Sequence, residues 1–263
     1  MKPKLFDIHS HLNFPDFDDD RENIIKKMRD EGIFTITVGV NKETSKSAKE
    51  IADINENIFA SVGLHPTDKS TQGGLESDWD YEYYKGLARQ PKVVAIGECG
   101  IDLFRRDKSD IKRQENLFRK HVELAVEVDK PLMIHCREAH SEVVKILSSY
   151  SLIYGSKLRG NIHFFSGDWN IAQKYFALGF TISFSGVITF AREYDDVLLK
   201  SPLERIMIET DSPFVAPFPY RVKRNEPLYV KEIAKKIAEI RGISYDEVAE
   251  ATTDNALRVF CNN

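Results

Sequence analysis

Apolar and polar positions alternate along this chain in two rhythms: short β-branched apolar runs, and apolar positions recurring near every 3.6 residues among charges. Residues 33–40 (IFTITVGV) are almost continuously apolar, as a strand buried on both faces of a parallel sheet requires. Just before them Ile24, Ile25 and Met28 recur at helical spacing, and Gly32 supplies a stop. This exchange repeats to the end of the chain. Strands are predicted at 5–11, 33–40, 59–64, 93–96, 132–134, 160–163, 180–184 and 205–209. Helices are predicted at 18–31, 43–55, 78–89, 109–128, 141–148, 169–178 and 193–199, followed by two more at 226–240 and 245–260. Eight strands alternating with amphipathic helices predict an α/β fold, a (β/α)8 TIM barrel with an extra C-terminal helix. With no repeat, linker or low-complexity tract, residues 1–263 are expected to form one domain.

Composition narrows the class. An apolar content of 42% and a charged content of 30% describe a globular chain with ample material for a core. No apolar run is long enough to span a bilayer, and Asp7 interrupts the apolar start, so neither signal peptide nor membrane anchor is expected and the location is expected to be cytoplasmic. Cys99, Cys136 and Cys261 are odd in number and scattered, without a CxxC zinc pattern or a disulfide framework. A net charge of −4 argues against wrapping long duplex DNA, but leaves room for a site that holds phosphate locally. GxGxxG and GxxxxGK[ST] elements are missing, so a nucleotide-binding α/β fold has no local support.

The chemistry lies where the strands end. Alternation puts Asp7, His9 and His11 on one face of the first strand. The run 93–97 stops at Glu98, 132–134 at His135, 161–162 at His163, and 206–208 at Glu209, Thr210 and Asp211. Strand C-termini are where barrel enzymes assemble their sites. Any one of these residues could be an ordinary hydrogen-bonded polar side chain at a strand end; six together point to metal. Four His and two carboxylates without thiolate suit Zn, Mn, Ni or Co, or Mg if carboxylates and water dominate. Six ligands exceed the need of one tetrahedral ion. A binuclear site divides them, with His9, His11 and Asp211 on one ion, His135 and His163 on the other, and Glu98 between. Strand parity turns Cys99 and Cys136 away, toward the barrel wall. His121 and His140, on helices, are expected to be surface or packing residues.

These residues stand in a set of ordered motifs: Asp7-Ile8-His9-Ser10-His11, Gly63-Leu64-His65-Pro66, Ile96-Gly97-Glu98-Cys99-Gly100-Ile101-Asp102, Pro131 to Arg137, His163 to Gly167, and Glu209-Thr210-Asp211-Ser212-Pro213. With Arg221 to Pro227 and Thr253 to Ala256, the set resembles the TatD family of metal-dependent deoxyribonucleases over essentially the whole chain. The resemblance implies an amidohydrolase-like TIM barrel, two metal ions at the residues above with Mg in solution, and hydrolysis of DNA phosphodiesters from a 3′ end. Departures are Phe164 in place of a common Cys, Val222 where Gly is frequent, and Leu103-Phe104 in place of a Tyr-containing pair.

On this reading Glu98 and Asp211 are catalytic, with Asp211 taking the proton from a metal-activated water. His65 is a third catalytic candidate that binds phosphate or assists the leaving oxygen, or else, beside Pro66, merely shapes a turn. Arg137, Arg221, Lys223 and Arg224 are candidates to clamp phosphate, although clustered charges are often just a solvated face. Asp7 is a candidate to orient one of the ligand imidazoles. The substrate is expected to be DNA at its 3′ end, with neither membrane nor obligate protein partner. Two alternatives share the scaffold: a hydrolase of another ester or amide, for example a D-aminoacyl-tRNA deacylase, and a binding module that has lost activity.

Overall fold

The computed structural model describes residues 2–68, 79–104 and 110–261. Eight strands run parallel in sequence order: β1 (Leu5–Ser10), β2 (Ile33–Val38), β3 (Ile58–Val62), β4 (Val93–Asp102), β5 (Leu132–Arg137), β6 (Gly160–Ile162), β7 (Thr181–Phe184) and β8 (Ile206–Ile208). Helices α1 (Arg21–Glu31), α2 (Lys42–Ile54), α3 (Tyr81–Ala88), α4 (Ile111–Glu127), α5 (His140–Tyr154), α6 (Trp169–Ala177) and α7 (Asp195–Lys200) fall between successive strands, and α8 (Val230–Arg241) and α9 (Tyr245–Ala256) follow. The predicted TIM barrel with a C-terminal helix is the architecture observed. The expected helix starts at Asp78 and Ser109 lie outside the described residues. Pro227 opens a short 3-10 turn to Tyr229, so α8 begins later than predicted.

Closure of the sheet uses residues beyond the last strand. The Asp211 N–H donates to the His9 carbonyl at 2.9 Å, and the His11 N–H donates to the Ser212 carbonyl at 2.7 Å. Ser10 and Ser212 form a parallel bridge between them.

Two apolar layers separate by strand face. Leu5, Ile33, Ile58 and Val62 join the larger cluster that includes buried helix residues such as Ile24, Ile25 and Met28. Phe6, Ile8, Ile36, Val38, Met133 and Met207 form an inner cluster with Ala256 and Phe260 from the C-terminal helix and the turn after it. Phe34 and Phe59, near the starts of β2 and β3, pack on this cluster, so the last helix plugs the N-terminal end of the barrel. The other end stays open for chemistry.

Two strands depart from regularity, and both departures position the site. β1 advances three residues from Asp7 to Ser10 while β2 advances two, from Thr35 to Thr37. This extra residue breaks the uniform alternation expected for Asp7, His9 and His11. β4 was predicted to end at Ile96 but stays paired with β5 as far as Asp102 opposite Arg137. It passes so close to β5 that side chains are excluded. A Cβ on Gly97, at φ +149°, would lie 2.3 Å from the Met133 carbonyl oxygen, and one on Gly100, at φ +142°, 1.9 Å from that of His135. Only glycine fits there, and Glu98 lies between the two.

Candidate metal centre

Glu98 sits at the middle of the open end with its two oxygens facing different partners. Oε1 is 2.9 Å from His135 Nδ1, 2.8 Å from His163 Nε2 and 3.3 Å from His65 Nε2. Oε2 is 3.5 Å from His9 Nε2 and 3.9 Å from His11 Nε2. Asp211 Oδ1 lies 3.6 Å and 3.5 Å from the same two imidazole nitrogens. The carboxylate thus divides the histidines into two sides.

Three groups of ligand-type atoms each converge within 4.8 Å: His9, Glu98 and His163; His9, His11 and Asp211; and His65, Glu98 and His135. All six residues predicted as metal ligands are brought together. His163 is more intermediate than expected, because its ring stacks on that of His9 with centroids 3.9 Å apart. The Nε2 atoms of His9 and His11 face each other at 3.3 Å, where two nitrogen lone pairs or two N–H groups would repel. His11 Nδ1 spends its proton on the Val38 carbonyl at 3.2 Å, which leaves the Nε2 lone pair pointing inward. Asp102 Oδ2 accepts from His135 Nε2 at 3.0 Å and turns the Nδ1 lone pair of that ring inward. This donor set of imidazole nitrogens and carboxylate oxygens, converging without a thiolate, fits divalent cations.

Electrostatics supports the same fit. Burial pushes the Glu98 carboxyl up, but the surrounding His163, His65 and His135 outweigh it and hold Glu98 well below the usual carboxylate range. Burial pulls the His163 and His135 imidazoles down, yet the facing carboxylates win and raise both. His9 is lowered by burial and by the neighbouring His163. Burial pushes the Asp211 carboxyl up, but the adjacent His11 and His9 imidazoles outweigh it and hold that carboxyl below its usual range. In the absence of a cation, protons balance this buried negative charge; a divalent ion would displace them.

His65 differs from the other imidazoles. The Thr67 backbone N–H donates to His65 Nδ1 at 3.2 Å, so the ring proton sits on Nε2, the atom facing Glu98. A nitrogen carrying its proton donates hydrogen bonds and does not ligate. Beneath the loop, His121 accepts from the Leu64 N–H at 3.0 Å through Nε2 while its Nδ1 faces the Leu117 carbonyl at 2.9 Å. His121 is fully buried, so it is a packing residue with a specific task, holding the segment that carries His65.

Asp7 does not touch an imidazole. Its carboxylate accepts from the Thr210 N–H at 2.8 Å, the Thr210 hydroxyl at 2.6 Å and the His9 backbone N–H at 3.3 Å. The β1 irregularity turns it toward the chain beyond β8, where it fixes the segment that carries Asp211. Glu209 and Asp102, two carboxylates given no role from the sequence, stand behind the histidines. Glu209 Oε1 is 3.4 Å from His163 Nδ1 and accepts from the Phe164 N–H, and its Oε2 accepts from the Ser183 hydroxyl. Parity along β4 was the missed signal for Asp102, four residues after Glu98 on a strand taken as ended. Cys99 is buried against the Ile96 and Met133 carbonyls, and Cys136 meets His140; neither joins a ligand group.

The centre opens into a cleft of about 940 Å³ that includes His11, His65, Glu98, His135, His163 and Asp211 in its walls. Phe14, Phe104, Tyr194 and Phe214 give it aromatic faces. The four predicted phosphate-binding cations separate here. Arg137 lines the cleft, with its guanidinium 3.7 Å from the centre of the Phe104 ring. Arg221, Lys223 and Arg224 do not. Arg224 instead forks onto Asp20 at 2.9 and 2.7 Å, an ion pair that ties the loop after β8 to the segment before α1.

Residues 6–261 match the family described as TatD related DNase. An uncharacterised metal-dependent hydrolase, YabD of Bacillus subtilis, is 38% identical over 259 residues, covering 97% of this chain and 98% of its own. A Pantoea vagans protein named as the 3′-5′ ssDNA/RNA exonuclease TatD is 32% identical, with 97% and 99% covered. The crystal structure of the TatD homologue YjjV of Escherichia coli K12 superposes with a TM-score of 0.87 at 29% identity, over 99% of each chain. A match over almost the whole length, on a barrel whose strand ends gather this donor set, places the chain in the TatD family of metal-dependent hydrolases.

Proposed function

We propose that this hydrolase is a nuclease that removes nucleotides from the 3′ end of single-stranded DNA with water activated at a two-metal centre. The observation that carries the proposal is the split of Glu98, one oxygen toward His135 and His163 and the other toward His9 and His11, which suits a carboxylate bridging two cations. The relative named as a 3′-5′ ssDNA/RNA exonuclease supports the substrate class. Two divalent cations, Mg in solution or Zn, Mn or Ni, would lower the pKa of water and withdraw charge from the phosphoryl group. His9, His11 and Asp211 would hold one cation, His135 and His163 the other.

The chain's own groups then divide the remaining work. Asp211 Oδ2, the oxygen not facing the two imidazoles, takes the proton of the attacking water. His65 donates its Nε2 proton in a hydrogen bond to a phosphate or leaving oxygen; burial keeps this ring neutral by lowering its pKa. Arg137, which lines the cleft and is already flattened on Phe104, contacts phosphate. Phe14 and Phe214, 6.3 Å apart beside His11, offer apolar faces to the terminal nucleoside.

The test is nucleotide release from 3′-labelled single-stranded DNA with Mg, Mn, Zn or EDTA, for wild type and Glu98→Ala. Release that requires metal and is abolished by the substitution supports the proposal. Intact DNA under every metal, with cleavage of an aminoacyl-tRNA or simple ester instead, overturns the substrate and leaves the hydrolase.

A further inference from the structure

We infer that the nucleotides beyond the cleft are held on an exposed strip of aromatic and cationic side chains carried by the loops after β7 and β8. This extends the nuclease reading and rests on it for the chemistry of the ligand. Phe190 is 42% exposed and Phe218 64% exposed, whereas the other aromatic side chains apart from Phe214 are buried or half-buried. The guanidinium of Arg221 lies 3.6 Å from the centre of the Phe190 ring, and Lys223 Nζ is 5.8 Å from that of Tyr220. Tyr220 is in turn stacked on Tyr229, with centroids 3.9 Å apart.

The strip is built rather than loose. The Phe218 N–H donates to the Thr189 hydroxyl at 2.8 Å and so fastens the two loops together. Arg221 Nη1 reaches back to the Ala216 carbonyl at 3.4 Å. The same loops supply Glu193, Tyr194, Phe214 and Val215 to the cleft wall, so the strip begins where the cleft ends.

Charge identifies the occupant. Neighbouring cations are neutralised, Arg224 by Asp20 and Arg192 by Asp195. Among the described residues Arg221 and Lys223 have no carboxylate within 4.0 Å, in a chain of net charge −4. Uncommitted cations lying over the exposed Phe190 ring and the half-buried Tyr220 ring, at the mouth of a cleft suited to phosphate, match a single strand whose bases stack while its phosphates meet Arg and Lys. Because every base offers a flat face, such a strip binds strands with little regard to sequence and favours length.

The experiment is fluorescence anisotropy with 5′-labelled thymidylate dodecamer and dinucleotide in EDTA, beside a hydrolysis assay with metal on the same strands. Wild type is expected to bind the dodecamer roughly ten-fold more tightly than the dinucleotide. The Phe190→Ala/Phe218→Ala double variant is expected to lose that advantage, and Phe190→Tyr/Phe218→Tyr to keep it. Replacing Arg221 by Gln should lower the salt slope of dodecamer binding by about one. Equal affinity for both lengths, or a folded Ala variant that binds like wild type, overturns the strip. So does an Ala variant that alters self-association in light scattering while leaving dodecamer affinity intact. Hydrolysis without dependence on the strip would remove this inference and keep the nuclease; length-dependent binding without hydrolysis under any metal would do the reverse.

Discussion

Asp102 Oδ2 stands 3.0 Å from His135 Nε2, on the side of the ring away from Glu98. This contact fixes the imidazole so that Nδ1 faces the centre. In Asp102→Asn the amide can present its NH2 to Nε2 and favour the wrong tautomer. Metal affinity or activity should then fall by 10 to about 100-fold. Metal content after dialysis, compared with turnover at saturating metal, separates lost affinity from lost catalysis.

His121 predicts how stability depends on acid. Burial pushes its pKa down to about 4 from 6.5, so the folded chain resists the proton that the unfolded chain accepts. Its contribution is fully present above pH 6.5 and is lost as pH falls from 6.5 toward 4, by up to about 3 kcal/mol. Urea melts from pH 7 to 4 should show a shallower decline for His121→Gln than for wild type. Parallel curves would refute the assignment.

Two arginines separate phosphate binding from scaffolding. Arg137→Ala should raise KM for DNA by about ten-fold or more, the scale of a lost charge-assisted hydrogen bond. Arg224→Ala should leave KM within about two-fold and cost about 1 kcal/mol or less, because its pair with Asp20 is partly exposed. Steady-state kinetics and thermal melts on the two variants check both halves.

Phe260 tests the plug at the closed end of the barrel. Its ring is fully buried in the inner cluster with Phe6 and Met207. Phe260→Ala should destabilise the fold by about 3–5 kcal/mol while leaving KM of the folded fraction unchanged.

Much of this was legible in the sequence, and the parts that were not share a cause. Runs such as 33–40 and 132–134 announce parallel strands because both of their faces are buried, and His135, His163 and Asp211 stand out because an apolar run stops at each. Asp102 escaped notice because the strand was expected to end at Ile96, whereas Gly97 and Gly100 let β4 continue against β5. Asp7 was assigned to a ring by strict alternation, which one extra residue in β1 cancels. Arg221 and Arg224 look alike in a basic cluster; the difference is made by Asp20, a partner distant along the chain. Register irregularities and long-range pairing are tertiary facts, and local pattern does not encode them.

The seam that joins β1 to the chain beyond β8 also makes the ligand set a gauge of whether the barrel has closed. His9 and His11 stand on one side of it and Asp211, whose N–H closes it on the His9 carbonyl, on the other. With the seam open, the sheet has an unpaired edge and one ligand group lacks its carboxylate. Cation binding at that group therefore reports closure of the barrel, and a cation held there clasps the two ends of the sheet together.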